Sequence, residues 1–139
     1  MKAQMYLWGL SLLPHIGSIT TRRLVEAMGS EEAAFHASLE ELQAYGCLSP
    51  NQAEAVVEAR SALDVAGEWE RLAKRQDVGL VTWLDDNYPQ RLLEIYDPPP
   101  VLYYRGAIEC LAVPCVAIVG RRRASPRGLG WARRLARAL

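Results

Sequence analysis

The sequence predicts an α/β chain in two parts: a helical unit over residues 1–66, then over 67–139 the opening of a doubly wound unit that the sequence leaves incomplete. Three observations carry that expectation. Up to about residue 75, apolar residues recur at helical spacing between Ser, Gly and Pro punctuation, whereas from Val78 they fall into short β-branched and aromatic runs. The run Cys115-Val116-Ala117-Ile118-Val119 is apolar throughout, as suits a strand covered on both faces of a parallel sheet. It enters a Gly-bounded basic loop and then a helix start, so the chain order there is strand, turn, helix.

Taken in order, Leu7, Leu10 and Leu13 share one face of a first helix that Pro14 and the turn His15-Ile16-Gly17 end. Ser18 is the expected cap of a second helix, with Leu24, Val25 and Met28 facing inward and Gly29 stopping it. Ser30 caps a short helix through Phe35. Ser38 with Glu41, and Ser49 with Gln52, have the spacing of capping boxes, the second with Pro50 at the first helical position; Gly46 is the expected stop between them. The last helix of this half runs past Leu63 with an interruption expected near Gly67, before Trp69 and Leu72. Short helices joined by short connections make an all-α unit.

Val78 to Trp83 is then a strand candidate, followed by the turn Asp85-Asp86-Asn87 and a short helix or turn over Tyr88 to Leu93. Asp97-Pro98-Pro99-Pro100 must be extended, because each residue before a proline is driven out of the helical region. Val101 to Tyr104 is a second strand, turned by Arg105-Gly106, and Cys115 to Val119 a third. Ser125-Pro126 opens a helix with Leu129, Ala132, Leu135, Ala136 and Leu139 on one face and Arg127, Arg133, Arg134 and Arg137 on the other. A crossover helix should deliver the chain to a further parallel strand, yet the sequence stops at Leu139, which predicts a truncated product.

The formal charge of zero conceals a division: residues 1–109 hold nine Lys and Arg against all sixteen acids, while residues 110–139 hold seven arginines and no acid. Such asymmetry between segments points to a phosphate-bearing ligand or nucleic acid. The arginines crowd a helix amino terminus, where the helix dipole already contributes partial positive charge, so an anion among them would relieve the conflict. Gly120, Arg121, Arg122, Arg123, Ser125, Arg127 and Gly128 are therefore the candidate phosphate-binding residues. The glycines at 120, 128 and 130 fit neither a dinucleotide fingerprint nor a P-loop.

Other signals are weaker. Leu13-Pro14-His15-Ile16-Gly17 with Leu24 has the outline of a helix-hairpin-helix, with His15 where glycine is usual, and Leu42 to Val56 resembles a second copy. Tyr103, Tyr104 and Trp131 are candidate base-stacking platforms, against core packing as the ordinary role of such rings. Asp85-Asp86 reads as a turn rather than a catalytic pair. Cys47, Cys110 and Cys115 are odd in number and lack metal spacing, which predicts neither zinc nor a disulfide framework and favours a reducing, cytoplasmic setting. No stretch has the length of a membrane span, and no cofactor or metal is expected.

Three ordered segments carry a family resemblance: Asp86-Asn87-Tyr88-Pro89-Gln90-Arg91-Leu92; Asp97-Pro98-Pro99-Pro100-Val101-Leu102-Tyr103-Tyr104-Arg105-Gly106; and Val116-Ala117-Ile118-Val119-Gly120-Arg121-Arg122-Arg123-Ala124-Ser125-Pro126-Arg127-Gly128. The chain resembles the DprA/Smf DNA-processing family, of which it would be an amino-terminal fragment. The resemblance implies a sterile-alpha-motif-like first domain and the start of an extended Rossmann-like domain. It further implies a non-enzymatic protein of natural transformation that binds and protects single-stranded DNA, loads the RecA recombinase and forms a homodimer when full length. Gly120, Arg122, Ser125 and Gly128 match the family's basic-pocket motif, whereas Arg121 stands where Ser or Thr is usual and Arg127 where Tyr is usual. Two alternatives stay open: a Rossmann-type nucleotide or phosphoribosyl hydrolase, and a helical protein-interaction module.

Overall fold

The computed structural model describes residues 2–139. Six helices come first: α1 (Lys2–Leu12), α2 (Ser18–Met28), α3 (Glu31–Phe35), α4 (Leu39–Ala44), α5 (Pro50–Ser61) and α6 (Val65–Ala73). Strands β1 (Gly79–Thr82) and β2 (Val101–Tyr104) then form a two-stranded sheet, with the one-turn helix α7 (Gln90–Leu93) between them, and helix α8 (Pro126–Ala138) lies beyond a 3-10 turn at Ile108–Ala112. The chain is thus mixed α/β, mostly helical.

Local chemistry sets most helix ends. The side chain of Ser30 accepts the Ala33 amide, and Ser38 and Ser49 both form complete capping boxes, with Glu41 and Gln52 reaching back to their amides. Three ends differ from expectation, wholly or in part. Ser18 lies inside α2, whose cap is Gly17 without a side-chain bond, because the Ser18 hydroxyl donates to Asp97, a residue distant in sequence. After α4 Gly46 stands at the stop as expected, a Cβ there lying 2.5 Å from the Leu42 carbonyl oxygen, but the left-handed residue of the turn is its neighbour Cys47 (φ 56°). The interruption before α6 falls at 62–64, where Asp64 accepts the Gly67 amide, so Gly67 is inside the helix that it was expected to break.

The two hairpin outlines share a local geometry. His15 (φ 62°) is followed by buried Ile16 and then the cap Gly17, just as Cys47 is followed by buried Leu48 and then the cap Ser49. Histidine tolerates this left-handed region better than most side chains do, which accounts for its standing where a glycine is usual.

One core fills the helical unit: Tyr6, Leu10, Leu13, Ile16, Leu24, Phe35, Leu42, Leu48 and Val56 are buried together. Gly9 brings α1 close to its neighbours, since a Cβ there would lie 2.7 Å from a Val65 methyl and 2.8 Å from the Phe35 ring. Arg60 closes the carboxyl end of α3 by donating to the carbonyls of Phe35 (2.7 Å) and Ala37 (2.8 Å), a favourable place for a cation, although burial pulls its pKa down.

The strands pair antiparallel, Gly79 opposite Tyr104 and Thr82 opposite Val101, and the Tyr104 ring lies across Gly79, covering backbone that the glycine leaves bare. Val81, Tyr88 and Ile108 form a second small core. Tyr88 donates to the Pro99 carbonyl at 2.8 Å and so ties the Tyr88-Pro89 turn to the proline run, while burial pushes its phenol pKa up. The expected third strand is not formed: residues 114–120 join no ladder among the described residues and are exposed, Val119 to 90 %. A strand exists only through partners, and an apolar run without one alongside has nowhere to send its amides and carbonyls. The expected parallel sheet is therefore replaced by a single antiparallel pair.

Helix α6 runs across the expected division between 66 and 67, and Trp69 packs on Trp8 with ring centroids 5.5 Å apart. Polar contacts join the helices to the sheet region. Trp8 Nε1 donates to the Tyr103 hydroxyl (2.7 Å), Gln4 to Asp85 (2.9 Å) and Ser18 to Asp97, and the Arg22 guanidinium lies 5.9 Å from the Trp83 ring centre.

Two substitutions test this frame. Gly9→Ala gains about 1 kcal/mol in helix propensity but inserts a methyl into closed space, a typical loss of about 1–3 kcal/mol, so denaturant unfolding should show net destabilisation. At Asp85, burial raises the carboxyl pKa, but hydrogen bonds from the Thr82 hydroxyl and amide (both 2.7 Å) and from Gln4 outweigh it and leave the value below the ordinary one. A depressed folded pKa adds stability that is present above the unfolded value and lost as pH falls through the folded one. Asp85→Ala should thus lose about 1–2 kcal/mol near neutrality, a difference from wild type that narrows below about pH 4.

Candidate nucleic-acid interface

The basic loop is built by a helix start. Ser125 adopts an extended conformation (ψ 156°), its oxygen accepts the Gly128 amide at 3.2 Å, and Pro126 takes the first helical position, where its missing N–H is not needed. The Gly128 amide is thereby spent inside the helix. Gly120 is outside the left-handed region, and a Cβ built on it meets nothing within 4 Å, so neither backbone geometry nor packing demands glycine there.

A cleft of about 580 Å³ lies along this segment, lined by Gly120, Arg121, Arg123, Ser125 and Gly128 over an apolar floor that includes Leu129 and Ala132. Five of the seven candidate residues thus converge. The other two are placed differently: Arg122 is exposed but does not line the cleft, and Arg127 lines a separate recess of about 330 Å³ with Gly130, Trp131 and Arg134. The role of Arg134 was legible only as i, i+3 and i, i+7 spacing from Trp131 and Arg127, a pattern that a basic helix face also produces.

The electrostatic setting follows from the distribution of acids. Ion pairs among the described residues are Lys2–Glu32, Arg71–Glu68 and Arg75 and Arg105 with Asp77, all before residue 110. Within the first pair, the Glu32 hydrogen bond raises the Lys2 pKa and that from Lys2 lowers the Glu32 pKa. No arginine between 121 and 137 is in an ion pair among the described residues. Seven guanidinium groups therefore stand on one exposed loop and helix without a carboxylate partner.

The helical hairpins offer less to a phosphate. Ser18 brings the Asp97 carboxylate to the amino-terminal end of α2, where a hairpin of this outline would present amides to an anion, and Arg22 is drawn toward Trp83. Of the candidate stacking rings, Tyr104 covers Gly79, Tyr103 is exposed but tied through its hydroxyl to Trp8, and Trp131 is exposed with an arginine over its ring. No helix is long and apolar enough to cross a membrane, and no group of His, Cys, Asp or Glu is placed to hold a metal ion, among the described residues.

Known proteins resemble the part of the chain that contains this basic segment. Residues 79–139, which contain the sheet, the loop and α8, match the family model described as DNA recombination-mediator protein A. The chain is similar to DNA-processing proteins of the DprA/Smf family. It is 51 % identical over 45 residues to the DNA processing protein DprA of Streptococcus pneumoniae, a match covering 32 % of this chain and 16 % of that protein. It is 29 % identical over 143 aligned positions to protein Smf of Synechocystis, covering 98 % of this chain and 35 % of the relative. The chain thus spans about a third of the longer of these matches. No solved structure matches it.

An exposed arginine run without backbone partners should be the first point of attack for trypsin. Brief digestion is expected to cut at Arg121–Arg123 and leave a core of residues 1–121 to 1–123 by mass spectrometry; first cuts within 1–75 would contradict the placement.

Proposed function

We propose that this chain is the part of a recombination mediator that grips the backbone of single-stranded DNA through the loop from Gly120 to Gly128. The observation that carries the reading is the cleft of Arg121, Arg123, Ser125 and Gly128 on a segment with seven arginines and no acid. Guanidinium groups hold phosphate oxygens in forked, charge-assisted hydrogen bonds, and the Ser125 hydroxyl adds a neutral donor at a helix start. None of these contacts reads a base edge, so binding is sequence-independent.

On this reading the protein is not an enzyme: its task is to cover the strand and pass it to a recombinase, and the mechanism needs positioned positive charge rather than a reacting group. The name of the matched family, a recombination mediator, supports RecA as the partner, and the reading places the protein in the cytoplasm, acting as a homodimer with a Rossmann-like domain around the loop and a sterile-alpha-motif-like helical unit beside it. The arginines at 121 and 127, where the family pattern has smaller or aromatic residues, exchange a neutral hydrogen bond for charge and so make affinity more dependent on salt.

Binding to a fluorescent oligo(dT) should weaken as salt rises, with a log–log slope of about −0.7 for each phosphate neutralised. Arg122→Ala, and separately Arg121→Ala with Arg123→Ala, should reduce affinity alike for all base sequences and flatten that slope. Salt-independent binding, or variants indistinguishable from wild type, would remove the loop from the site.

A further inference from the structure

The recess on α8 that holds Arg127 is separate from the loop cleft, and its chemistry is different. Its walls are Arg127, Gly130, Trp131 and Arg134, with a volume of about 330 Å³. Trp131 is 55 % exposed, and the Arg134 guanidinium carbon lies 5.6 Å from its ring centre. Arg127, Trp131 and Arg134 are spaced i, i+4, i+7 and so share one face, at the border between the apolar and basic sides of the helix. Gly130 adds an independent observation. Glycine inside a helix is unfavourable relative to alanine, yet a Cβ at this position would meet nothing within 4 Å. Internal packing does not call for the glycine, which leaves the residue next to Trp131 without a side chain.

We propose that Trp131 is a stacking platform for an unpaired nucleobase, flanked by Arg127 and Arg134 on the adjoining phosphates. The inference rests on the reading of the Gly120–Gly128 loop as a phosphate cleft and adds to it a means of telling single strands from duplex. A flat aromatic surface accepts any base and so preserves sequence tolerance, whereas a paired base is already stacked within its helix and unavailable. Arg134 holds its place near the ring through a cation–π contact, and the two arginines are attached to the helix about 10 Å apart along its axis. The loop cleft would then supply affinity for any polyanion, and Trp131 the preference for exposed bases.

The test compares three probes of equal length at low salt: oligo(dT), an abasic phosphodiester oligomer and a duplex. Trp131→Ala should weaken oligo(dT) binding about 5- to 150-fold, the range for loss of one stacked base, and leave the abasic oligomer unaffected. Trp131→Phe should recover most of the loss. An equal fall on both single-stranded probes, or no fall on oligo(dT), overturns the stacking role while the loop reading stands. Wild-type protein that binds neither single-stranded probe overturns both. Binding to anionic lipid vesicles that Trp131→Ala abolishes, with oligo(dT) affinity unchanged, assigns the helix to a membrane surface instead.

Discussion

The approach of α1 to α3 and α6 is the constraint on which the other contacts depend, and it exists because residue 9 has no side chain. With Gly9 against Phe35 and Val65, the neighbouring Tyr6 and Leu10 enter the helical core, and Trp8 reaches Trp69 and the Tyr103 hydroxyl. A single helix thereby belongs to both halves of the chain. The unfavourable helix propensity of glycine is offset by the burial of the large rings around it, each of which removes far more apolar surface from water than a methyl at residue 9 would.

What the sequence disclosed depends on how far apart the interacting residues are. Capping boxes at Ser38–Glu41 and Ser49–Gln52 are complete within four residues, so their spacing sufficed, and the same holds for Ser125 on α8. Ser18 looked equally like a cap, but its hydroxyl is claimed by Asp97, which nothing local announces. Asp64 took the role expected of Gly67, and Cys47 supplies the left-handed residue beside the stop at Gly46, since neighbouring residues compete for the same turn and only the packed chain decides between them. The run from Cys115 to Val119 has the composition of a buried strand. Composition describes the environment a segment suits, whereas a ladder also requires a neighbour, and none lies beside it among the described residues. The candidate loop was legible as charge and as a helix start, but the separation of Arg121 and Arg123 from Arg127 into two recesses, with Arg122 in neither, was not, because it follows from how the chain enters α8.

Charge and structure are divided along the same line. The packed portion carries every acid and every ion pair described, while the exposed portion carries guanidinium groups alone. Had acids been interspersed among the arginines, local pairs would have satisfied them and reduced the local field at the loop. Concentrating one sign on a protruding segment instead raises the potential felt by an approaching polyanion, and the acidic body discourages contact elsewhere.

The contacts between helices and sheet region have a mechanical meaning. Gln4 to Asp85, Trp8 to Tyr103 and Ser18 to Asp97 are directional bonds between polar tips, made at separate points along the first two helices. Hydrogen bonds tolerate little misalignment, yet each adds little net free energy because water competes for the same groups. Such a joint resists sliding and rotation more than it resists being pulled open. It behaves like a keyed coupling, one that returns the two halves to a single angle whenever they meet.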